Sequence, residues 1–382
     1  MQNETYIQSL AFLPFKNTGT LRVIIAGGGT GGHIFPAVAI AKALVKQDPK
    51  IEILFVGAAG KMEMEKIPQA GFKIVGLYIA GYNRNSILKN LTLPFKLARS
   101  FYQVTKILKS FRPDAVIGVG GYSSFPVLRL AQTRKIPTFI HESNSFAGKS
   151  NIMLSKRAAK IFVASYGMEK FFPYAKILMT GNPVRNIFSG PQKSRASSLE
   201  FFGLKEHLKT VLVIGGSLGA QSINDAINKN IQFFKDNNLQ LIWQTGKDFA
   251  SKAAAIEEEH NNLWTGAFIT DMDTAYSAAD FVISRAGAMI IAELCIVAKP
   301  VIFVPYPFAA EDHQTANANA LVKNDAALLV SDKQLHTMLI PVLDKLVHDP
   351  AMADRLKVNI SKFANTNSDE LIATEVLNSL HV

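Results

Sequence analysis

Short runs of apolar, mostly β-branched residues alternate along this chain with stretches whose apolar positions recur at helical spacing. A run that is apolar at every position is typical of a strand buried on both faces of a parallel sheet. We therefore predict strands at residues 21–26, 51–56, 115–119, 138–140, 161–164, 211–214, 241–243, 281–283 and 301–304. Their alternation with helical stretches indicates βαβ units and hence an α/β fold with parallel sheets.

Two glycine-rich loops of similar design lie about half a chain apart. Residues 27–32 follow the first predicted strand, residues 215–220 follow the strand at 211–214, and a helical pattern follows each loop. A strand, a glycine turn and a helix N-terminus bring backbone N–H groups and a positive dipole end to one point. Two such points predict two doubly wound, Rossmann-like domains that face each other across a cleft.

The length and the composition indicate where these domains begin and end. A chain of 382 residues fits two domains of roughly 180 residues each. The composition changes at residues 181–185, and a polar stretch follows at 189–198, as expected of an interdomain linker. We predict a loosely ordered extension, a first domain, a second domain and a C-terminal amphipathic helix that packs back on the first domain. Their bounds are 1–20, 21–185, 186–366 and 367–382.

The overall composition is that of a folded protein, with 48% hydrophobic and 19% charged residues. No apolar run reaches the ~18 residues that a membrane-spanning helix needs. The first twenty residues lack the basic start and the long apolar core of a signal peptide. A single cysteine, Cys295, excludes a disulfide framework and fits a reducing cytoplasm.

The net charge of +11 is unevenly distributed along the chain. Residues 1–185 hold 25 Lys and Arg against 8 Asp and Glu, whereas residues 186–382 hold 16 against 22. No acidic residue lies between Glu65 and Asp114, where nine basic residues alternate with aliphatic and aromatic ones. This pattern favours contact with an anionic membrane surface through Ile87, Leu88, Lys89, Leu91, Phe95, Lys96 and Arg99. A solvated helix face is the alternative, and nucleic acid is disfavoured because the chain has no known binding motif.

Two cofactor motifs match only in part. Gly27-x-Gly29-x-x-Gly32 has the spacing of a dinucleotide-binding loop, but residues 56–60, at the end of the second strand, lack the carboxylate that would bind a ribose. A P-loop fails because Ser143 stands where its leading glycine belongs. Asp271 and Asp273 resemble a metal-binding pair but open a predicted helix, where acidic residues are common. We therefore predict an enzyme without a metal.

Polar loops follow several of the predicted strands, and ligands of doubly wound folds bind at those strand ends. His33, directly after the first glycine loop, could act as a general base or simply pack there. Residues 120–124 and 141–144 follow two neighbouring strands. In the second half, residues 284–289 lead into a helix whose N-terminus could bind a diphosphate. Glu293 on that helix could accept two vicinal hydroxyl protons, or it could be a solvated side chain.

These motifs together resemble the MurG family of bacterial N-acetylglucosaminyltransferases. They are Gly28-Gly29-Thr30-Gly31-Gly32-His33, Gly120-Gly121-Tyr122, His141-Glu142-x-Asn144, residues 181–185, Gly215-Gly216-Ser217, Arg285-Ala286-Gly287-Ala288 and Glu293. The resemblance runs from about Leu21 to the C-terminus, with departures at Ser143, Leu218 and Ala286. It implies the GT-B fold and an inverting transfer of GlcNAc from UDP-GlcNAc to the C4 hydroxyl of MurNAc in lipid I. The product would be lipid II for peptidoglycan synthesis.

The resemblance also implies roles for individual residues. His33 would be the base, and Tyr122 and Glu142 would complete the catalytic group on the acceptor side. The residues expected to bind UDP-GlcNAc are Thr30, Gly31, Gly32, Asn144, Arg185, Ser217, Ile269, Ala288, Met289, Glu293 and Gln314. No cofactor and no metal is expected.

The implied partners are UDP-GlcNAc, lipid I, the anionic cytoplasmic leaflet of the inner membrane, and proteins of cell-wall synthesis and division. The protein is accordingly expected to be peripheral on the cytoplasmic face of that membrane. Three rival interpretations remain: a GT-B enzyme with another UDP-sugar or a soluble acceptor, an epimerase of the same nucleotide sugar, and a non-catalytic lipid-surface module.

Overall fold

The apolar runs form the central strands of two separate parallel sheets. The computed structural model describes residues 19–81, 92–184, 193–216, 218–309 and 312–380. The strands of the first sheet are β1 (Arg22–Ala26), β2 (Glu52–Ala58), β3 (Lys73–Leu77), β4 (Ala115–Gly118), β5 (Thr138–Glu142), β6 (Lys160–Val163) and β7 (Ile177–Met179). Those of the second are β8 (Lys209–Ile214), β9 (Leu239–Gln244), β10 (Leu263–Gly266), β11 (Phe281–Ser284), β12 (Val301–Phe303) and β13 (Leu328–Leu329).

The strand order in both sheets is that of doubly wound folds. The first sheet runs β3-β2-β1-β4-β5-β6-β7 and the second runs β10-β9-β8-β11-β12-β13, with every pair parallel. In each sheet the chain changes direction beside the strand that carries the glycine loop, which is β1 or β8. Ligands bind at such a switch point because the loops diverge there and leave a crevice. The predicted α/β fold with two Rossmann-like sheets is confirmed.

Helices connect the strands and cover both faces of each sheet. In the first half they are α1 (Gly31–Gln47), α2 (Glu63–Gln69), α3 (Leu93–Phe111), α4 (Ser124–Thr133) and α5 (Lys149–Ser155). In the second they are α6 (Arg195–Phe201), α7 (Gln221–Lys229), α8 (Ile231–Asp236), α9 (Lys247–Glu259), α10 (Met272–Ala278), α11 (Ala288–Val297), α12 (His313–Val322), α13 (Leu335–His348), α14 (Pro350–Ser361) and α15 (Ser368–Asn378). Within the described ranges, none of them is long and apolar enough to cross a bilayer.

The chain divides into two compact units. Unit 1 comprises Met1–Arg185 together with Thr366–Val382, and unit 2 comprises Asn186–Asn365. Unit 1 therefore includes the C-terminal helix, because α15 packs along α1. Ile372 and Val376 of α15 are buried in the same core as Ile40 of α1. At the rim of this contact, Lys46 Nζ lies 2.6 Å from Glu370 Oε1.

Candidate active site

The first glycine loop turns the chain sharply between β1 and α1. Gly28 has φ 147° and Gly29 has φ 91°, values that side chains other than glycine rarely adopt. Thr30 is the N-cap residue of α1 in extended conformation, and Gly31 and Gly32 open the helix. The loop therefore places the N-terminus of α1 at the carboxyl edge of the sheet.

His33 lies in the first turn of α1 and folds back onto this loop. Its Nδ1 lies 3.1 Å from Gly28 O and 3.4 Å from Thr30 Oγ1. The other edge of the ring faces the loop after β4, where a Cβ atom at Gly120 would lie only 2.8 Å from Nε2. The imidazole is thus held between two glycine loops and remains partly exposed.

Tyr122 lies on the other side of the same glycine loop. A Cβ atom at Gly29 would lie 3.7 Å from its ring, and one at Gly81 would lie 3.0 Å from it. Partial burial, together with the negative charge of Glu63, raises the pKa of the Tyr122 hydroxyl above its ordinary value. The phenol therefore stays protonated at neutral pH and can donate a hydrogen bond.

Glu142 is a buried carboxylate that closes its own loop. Its Oε2 accepts from Gly148 N at 2.9 Å and from Asn151 Nδ2 at 2.8 Å. Its Oε1 accepts from Asn144 N at 3.2 Å and from Asn144 Nδ2 at 3.3 Å. These bonds fix the loop between β5 and α5, so the geometry favours a positioning role for Glu142 over direct proton transfer.

His141 precedes Glu142 and is fully buried. Its Nδ1 lies 3.4 Å from Ser143 Oγ. Burial lowers the pKa of the His141 imidazole to about 4, and the charge of His33 lowers it further, while a hydrogen bond with the Gly181 backbone opposes both effects. His141 is therefore a neutral residue of the scaffold beneath the candidate site.

The second glycine loop, in unit 2, packs closely against the loop that follows β9. A Cβ atom at Gly219 would lie 2.2 Å from Thr245 O, and one at Gly246 would lie 2.3 Å from Leu218 O. Gln244 links this loop to Ile269, one of the residues expected to bind UDP-GlcNAc: its Nε2 donates to Gly216 O at 2.9 Å, and its Oε1 accepts from Ile269 N at 2.9 Å. The backbone group that Ile269 can offer to a ligand is therefore its carbonyl oxygen.

The helix α11 begins at the carboxyl end of β11 without a side-chain cap. Its N-cap Gly287 is extended, and residues 288–291 of its first turn include no acidic side chain. A helix N-terminus of this kind can bind an anion, as expected for Ala288 and Met289. Two turns along, Glu293 is only 2% exposed, and its Oε2 accepts from Tyr276 OH at 3.0 Å.

Arg285 and Gln314 tie together the loops around the start of α11. Arg285 is buried, with Nη1 2.6 Å from Asp332 Oδ1 and Nη2 2.8 Å from Ser222 Oγ. Gln314 Oε1 accepts from Tyr306 N at 2.9 Å and from Ala286 N at 3.2 Å. The loops after β11 and β12 are therefore joined by side chains rather than held by the sheet alone.

The start of α3 carries the described part of the predicted membrane surface. Phe95 is 80% exposed, and Lys96 and Arg99 beside it are also exposed. The Arg99 guanidinium lies 4.2 Å above the ring of Tyr78. These residues line a groove of about 500 Å³ with Ala59, Leu77, Tyr78, Ile79 and Thr92. Apolar and cationic side chains thus share one surface.

Some predicted residues lie outside the described residues: Arg185, Ser217, Ile87, Leu88, Lys89 and Leu91. The described ranges contain no group of three or more His, Cys, Asp or Glu side chains that could hold a metal. Asp271 is the N-cap of α10 and accepts from Thr274 N at 3.3 Å. Burial raises the pKa of Asp271, but hydrogen bonds from Lys193 and Thr274 outweigh that effect and lower it.

The sequence interpretation missed two groups that shape these sites. Glu63, 1% exposed, reaches back from α2 to the first glycine loop, where its Oε2 accepts from Gly29 N at 2.9 Å. In unit 2, Gln244 likewise hydrogen-bonds to the backbone of the second glycine loop, at Gly216 O. Nothing in the sequence separates Glu63 from the exposed Glu65 two residues later, because the two differ only in the face of α2 that they occupy.

Two family models match the chain and together cover most of it. The glycosyltransferase family 28 N-terminal domain matches residues 23–163, and the glycosyltransferase family 28 C-terminal domain matches residues 210–373. The chain belongs to glycosyltransferase family 28.

Curated relatives of this family 28 chain carry one name. A protein of Parabacteroides distasonis is 48% identical over 358 residues, covering 93% of this chain and 97% of that protein. One of Phocaeicola vulgatus is 49% identical over 359 residues, covering 93% and 96%. Both are named UDP-N-acetylglucosamine--N-acetylmuramyl-(pentapeptide) pyrophosphoryl-undecaprenol N-acetylglucosamine transferase.

Solved structures agree with this family membership. The crystal structure of Acinetobacter baumannii MurG has a TM-score of 0.75 and 27% identity, and covers 94% of this chain and 99% of its own. A UDP-GlcNAc 2-epimerase from Neisseria meningitidis has a TM-score of 0.67 at 14% identity, covering 94% and 100%, and shares the fold alone. The expected resemblance to the MurG family and the GT-B fold class are confirmed.

Proposed function

We propose that this family 28 enzyme transfers GlcNAc from UDP-GlcNAc to the C4 hydroxyl of MurNAc in lipid I, forming lipid II. The observation that carries the proposal is the identity of 48–49% to relatives named as that transferase, over 93% of the chain. Unit 1 is the acceptor domain, and unit 2 is the UDP-GlcNAc domain. The two candidate sites fit these roles, since each lies at a switch point of its sheet.

The proposed mechanism is a single displacement that inverts the anomeric carbon. His33 takes the proton of the C4 hydroxyl as that oxygen attacks C1 of GlcNAc, and UDP leaves. Tyr122, which is protonated at neutral pH, donates a hydrogen bond on the acceptor side. Glu142 holds Asn144 in place, and Thr30, Gly31 and Gly32 close over the donor at the start of α1.

The departing UDP is stabilised in unit 2. Backbone N–H groups of Ala288 and Met289 and the dipole of α11 meet the diphosphate, so that no metal is needed. Arg185 and Ser217 assist at the phosphates. The Ile269 carbonyl oxygen contacts uracil, Glu293 the ribose and Gln314 the sugar.

We further propose that the protein acts while peripheral on the anionic cytoplasmic leaflet. The exposed Phe95, Lys96 and Arg99 support this assignment, because an apolar ring can insert shallowly while the cations meet lipid phosphates. Lipid I would then reach unit 1 from the bilayer in which it is anchored.

The deciding experiment follows radiolabelled GlcNAc into a lipid fraction, with and without an added lipid I analogue and with and without EDTA. Label should enter the lipid only when the analogue is present, and EDTA should leave the rate unchanged. An epimerase would convert the nucleotide sugar without any acceptor, and a lipid-binding module would convert nothing. A rate that EDTA abolishes and Mg²⁺ restores would contradict the metal-free mechanism.

His33→Ala tests the assignment of the base. Turnover should fall roughly 10²- to 10⁴-fold, the usual contribution of a general base. UDP affinity, measured by calorimetry, should barely change because UDP is assigned to unit 2. Activity close to that of the unmodified protein would remove His33 from the mechanism and leave the transferase assignment standing.

A further inference from the structure

A buried carboxylate lies directly beneath the first glycine loop. Glu63 is 1% exposed, and its two oxygens accept from backbone N–H groups of different segments. Oε2 accepts from Gly29 N at 2.9 Å, and Oε1 accepts from Ala58 N at 2.9 Å, at the end of β2. A buried charge is expensive unless it is well hydrogen-bonded, so its presence at this point calls for a function.

The peptide group between Gly28 and Gly29 connects this carboxylate to His33. Its N–H donates to Glu63 Oε2 at 2.9 Å, and its carbonyl oxygen lies 3.1 Å from His33 Nδ1. A carboxylate, a peptide group and an imidazole therefore form one continuous row of hydrogen bonds. We propose that Glu63 is a positioning residue for His33 and acts through the Gly28–Gly29 peptide group. This inference rests on the proposed role of His33 as the base.

The row of hydrogen bonds determines which nitrogen of His33 can act. A carbonyl oxygen only accepts, so the nitrogen beside Gly28 O carries the proton and Nε2 carries the lone pair. The anionic carboxylate polarises the peptide group and strengthens its carbonyl as an acceptor, since hydrogen bonds in a chain reinforce one another. The same negative charge favours the imidazolium that forms when His33 takes the acceptor proton.

Close packing keeps this row in place. A Cβ atom at Gly28 would lie 2.2 Å from Glu63 Oε1, and one at Gly121 would lie 2.4 Å from Gly28 O. Glycine is thus required on both sides of the peptide group, at φ 147° and 82°. Because no side chain intervenes, the peptide plane is fixed between the carboxylate and the ring.

Other titratable groups around this row do not obscure a pH profile of His33. Tyr122 faces the row from the loop after β4, and its raised pKa keeps it protonated. His141, on β5, interacts electrostatically with His33 and has a pKa of about 4, so it stays neutral. The acid limb of kcat/KM therefore reports His33, the proposed base.

The test compares Glu63→Gln with Glu65→Gln, an exposed glutamate on the same helix. Glu63→Gln should lower kcat on the order of 10- to 100-fold, as for other groups that orient a histidine through its second nitrogen. It should also shift the acid limb to lower pH by about half a unit, because an anion that favours the imidazolium is lost. Glu63→Asp keeps the charge, so its acid limb should stay in place. Glu65→Gln should change neither quantity.

A double-mutant cycle separates positioning from general support of the loop. Glu63→Gln should cost little further activity in a His33→Ala background, since it acts through the missing ring. Equal losses in both backgrounds, or an acid limb that does not move, would overturn the proposal. If His33→Ala alone leaves activity intact, the proposed base is wrong, and that result is distinguishable from a failure of Glu63. Far-UV circular dichroism, which follows both units, shows whether each variant is folded.

One measurement needs no variant of Glu63. Long-range ¹H–¹⁵N spectra of the histidine-labelled protein, with His33 assigned by its loss in His33→Ala, report the tautomer of the neutral ring. The Nδ1–H form supports the proposal. The Nε2–H form would overturn it, because the Gly28 carbonyl would then have no proton to accept.

Discussion

Gly120 has no side chain, and the imidazole of His33 occupies the space that a side chain there would fill. A Cβ atom there would lie 2.7 Å from His33 Cδ2, whereas one at Gly167 would meet no atom of the described chain within 4 Å. Both glycines have positive φ, 96° and 78°, so alanine at either should cost backbone strain of about 1–2 kcal/mol.

Gly120→Ala should therefore lower transfer much more than Gly167→Ala, while the two lower stability to a similar degree. Rates with a lipid I analogue and thermal unfolding of both variants provide the comparison. Equal rates would mean that the ring of His33 can move without loss of catalysis.

Glu293 is deeply buried and is predicted to bind the ribose of UDP. Glu293→Ala should weaken UDP binding by about 1.5–3 kcal/mol, the worth of a hydrogen bond to a charged group. Tyr276→Phe controls for the partner left behind, and Glu258→Ala controls for loss of a carboxylate elsewhere in unit 2. Calorimetry that finds the same UDP affinity for Glu293→Ala and Glu258→Ala would make Glu293 a structural residue.

The sequence predicted residues near each site, but it could not predict how they pair. His33 stood out because it follows a glycine loop, and the structure brings it against Gly28 and Gly120. The motif predicts a catalytic role for Glu142, but it does not predict that both carboxylate oxygens accept hydrogen bonds from its own loop. Such pairing depends on side-chain direction, which spacing along the chain does not encode.

At the level of elements, the central strands were predictable and the edge strands were not. The predicted strands all lie inside the sheets, where burial on both faces demands an unbroken apolar run. The four strands that were missed, β3, β7, β10 and β13, are the four sheet edges. β13 has two residues and β10 contains Thr265 and Gly266, so neither differs from a loop in sequence.

The helix α3 combines two different surfaces along its length. Its later turns bury Val104, Ile107 and Phe111 in the core of unit 1. The first two turns, from Leu93 to Arg99, stand clear of that core and are mostly exposed. The exposed Phe95, with Lys96 beside it and Arg99 one turn later, combines an apolar ring with cations and supports the membrane assignment of the N-terminal end.

Reversing two charges tests that end of α3. Lys96→Glu with Arg99→Glu should weaken binding to anionic vesicles by about 2 kcal/mol or more, ~30-fold, since each cation near the surface contributes ~1 kcal/mol. The matched control, Lys156→Glu with Arg157→Glu, makes the same charge change at exposed positions just after α5. Co-sedimentation measures both. Equal binding by the two variants would place the membrane surface elsewhere.

At the level of the whole molecule, the two units differ in charge and in their spectroscopic probes. Residues 1–185 carry the basic excess, with 25 Lys and Arg against 8 Asp and Glu. Both tryptophans of the chain, Trp243 and Trp264, lie in unit 2. Tryptophan fluorescence therefore follows unfolding of unit 2, whereas far-UV circular dichroism follows both units, and a difference between the two signals reports unit 1.

The difference between the two signals allows the effect of the buried His141 on the stability of unit 1 to be measured. Its pKa is about 4 when folded and about 6.5 when unfolded, so the unfolded chain binds a proton first as the pH falls. The contribution of the neutral His141 to the free energy of unfolding is complete above pH 6.5. It is lost progressively between pH 6.5 and pH 4, by about 3 kcal/mol in total. His141→Asn should remove this part of the pH dependence of unit 1 seen by circular dichroism in urea. His348→Gln, an exposed histidine of unit 2, should not. An unchanged pH dependence in His141→Asn would mean that His141 takes up a proton in the folded protein as readily as in the unfolded chain.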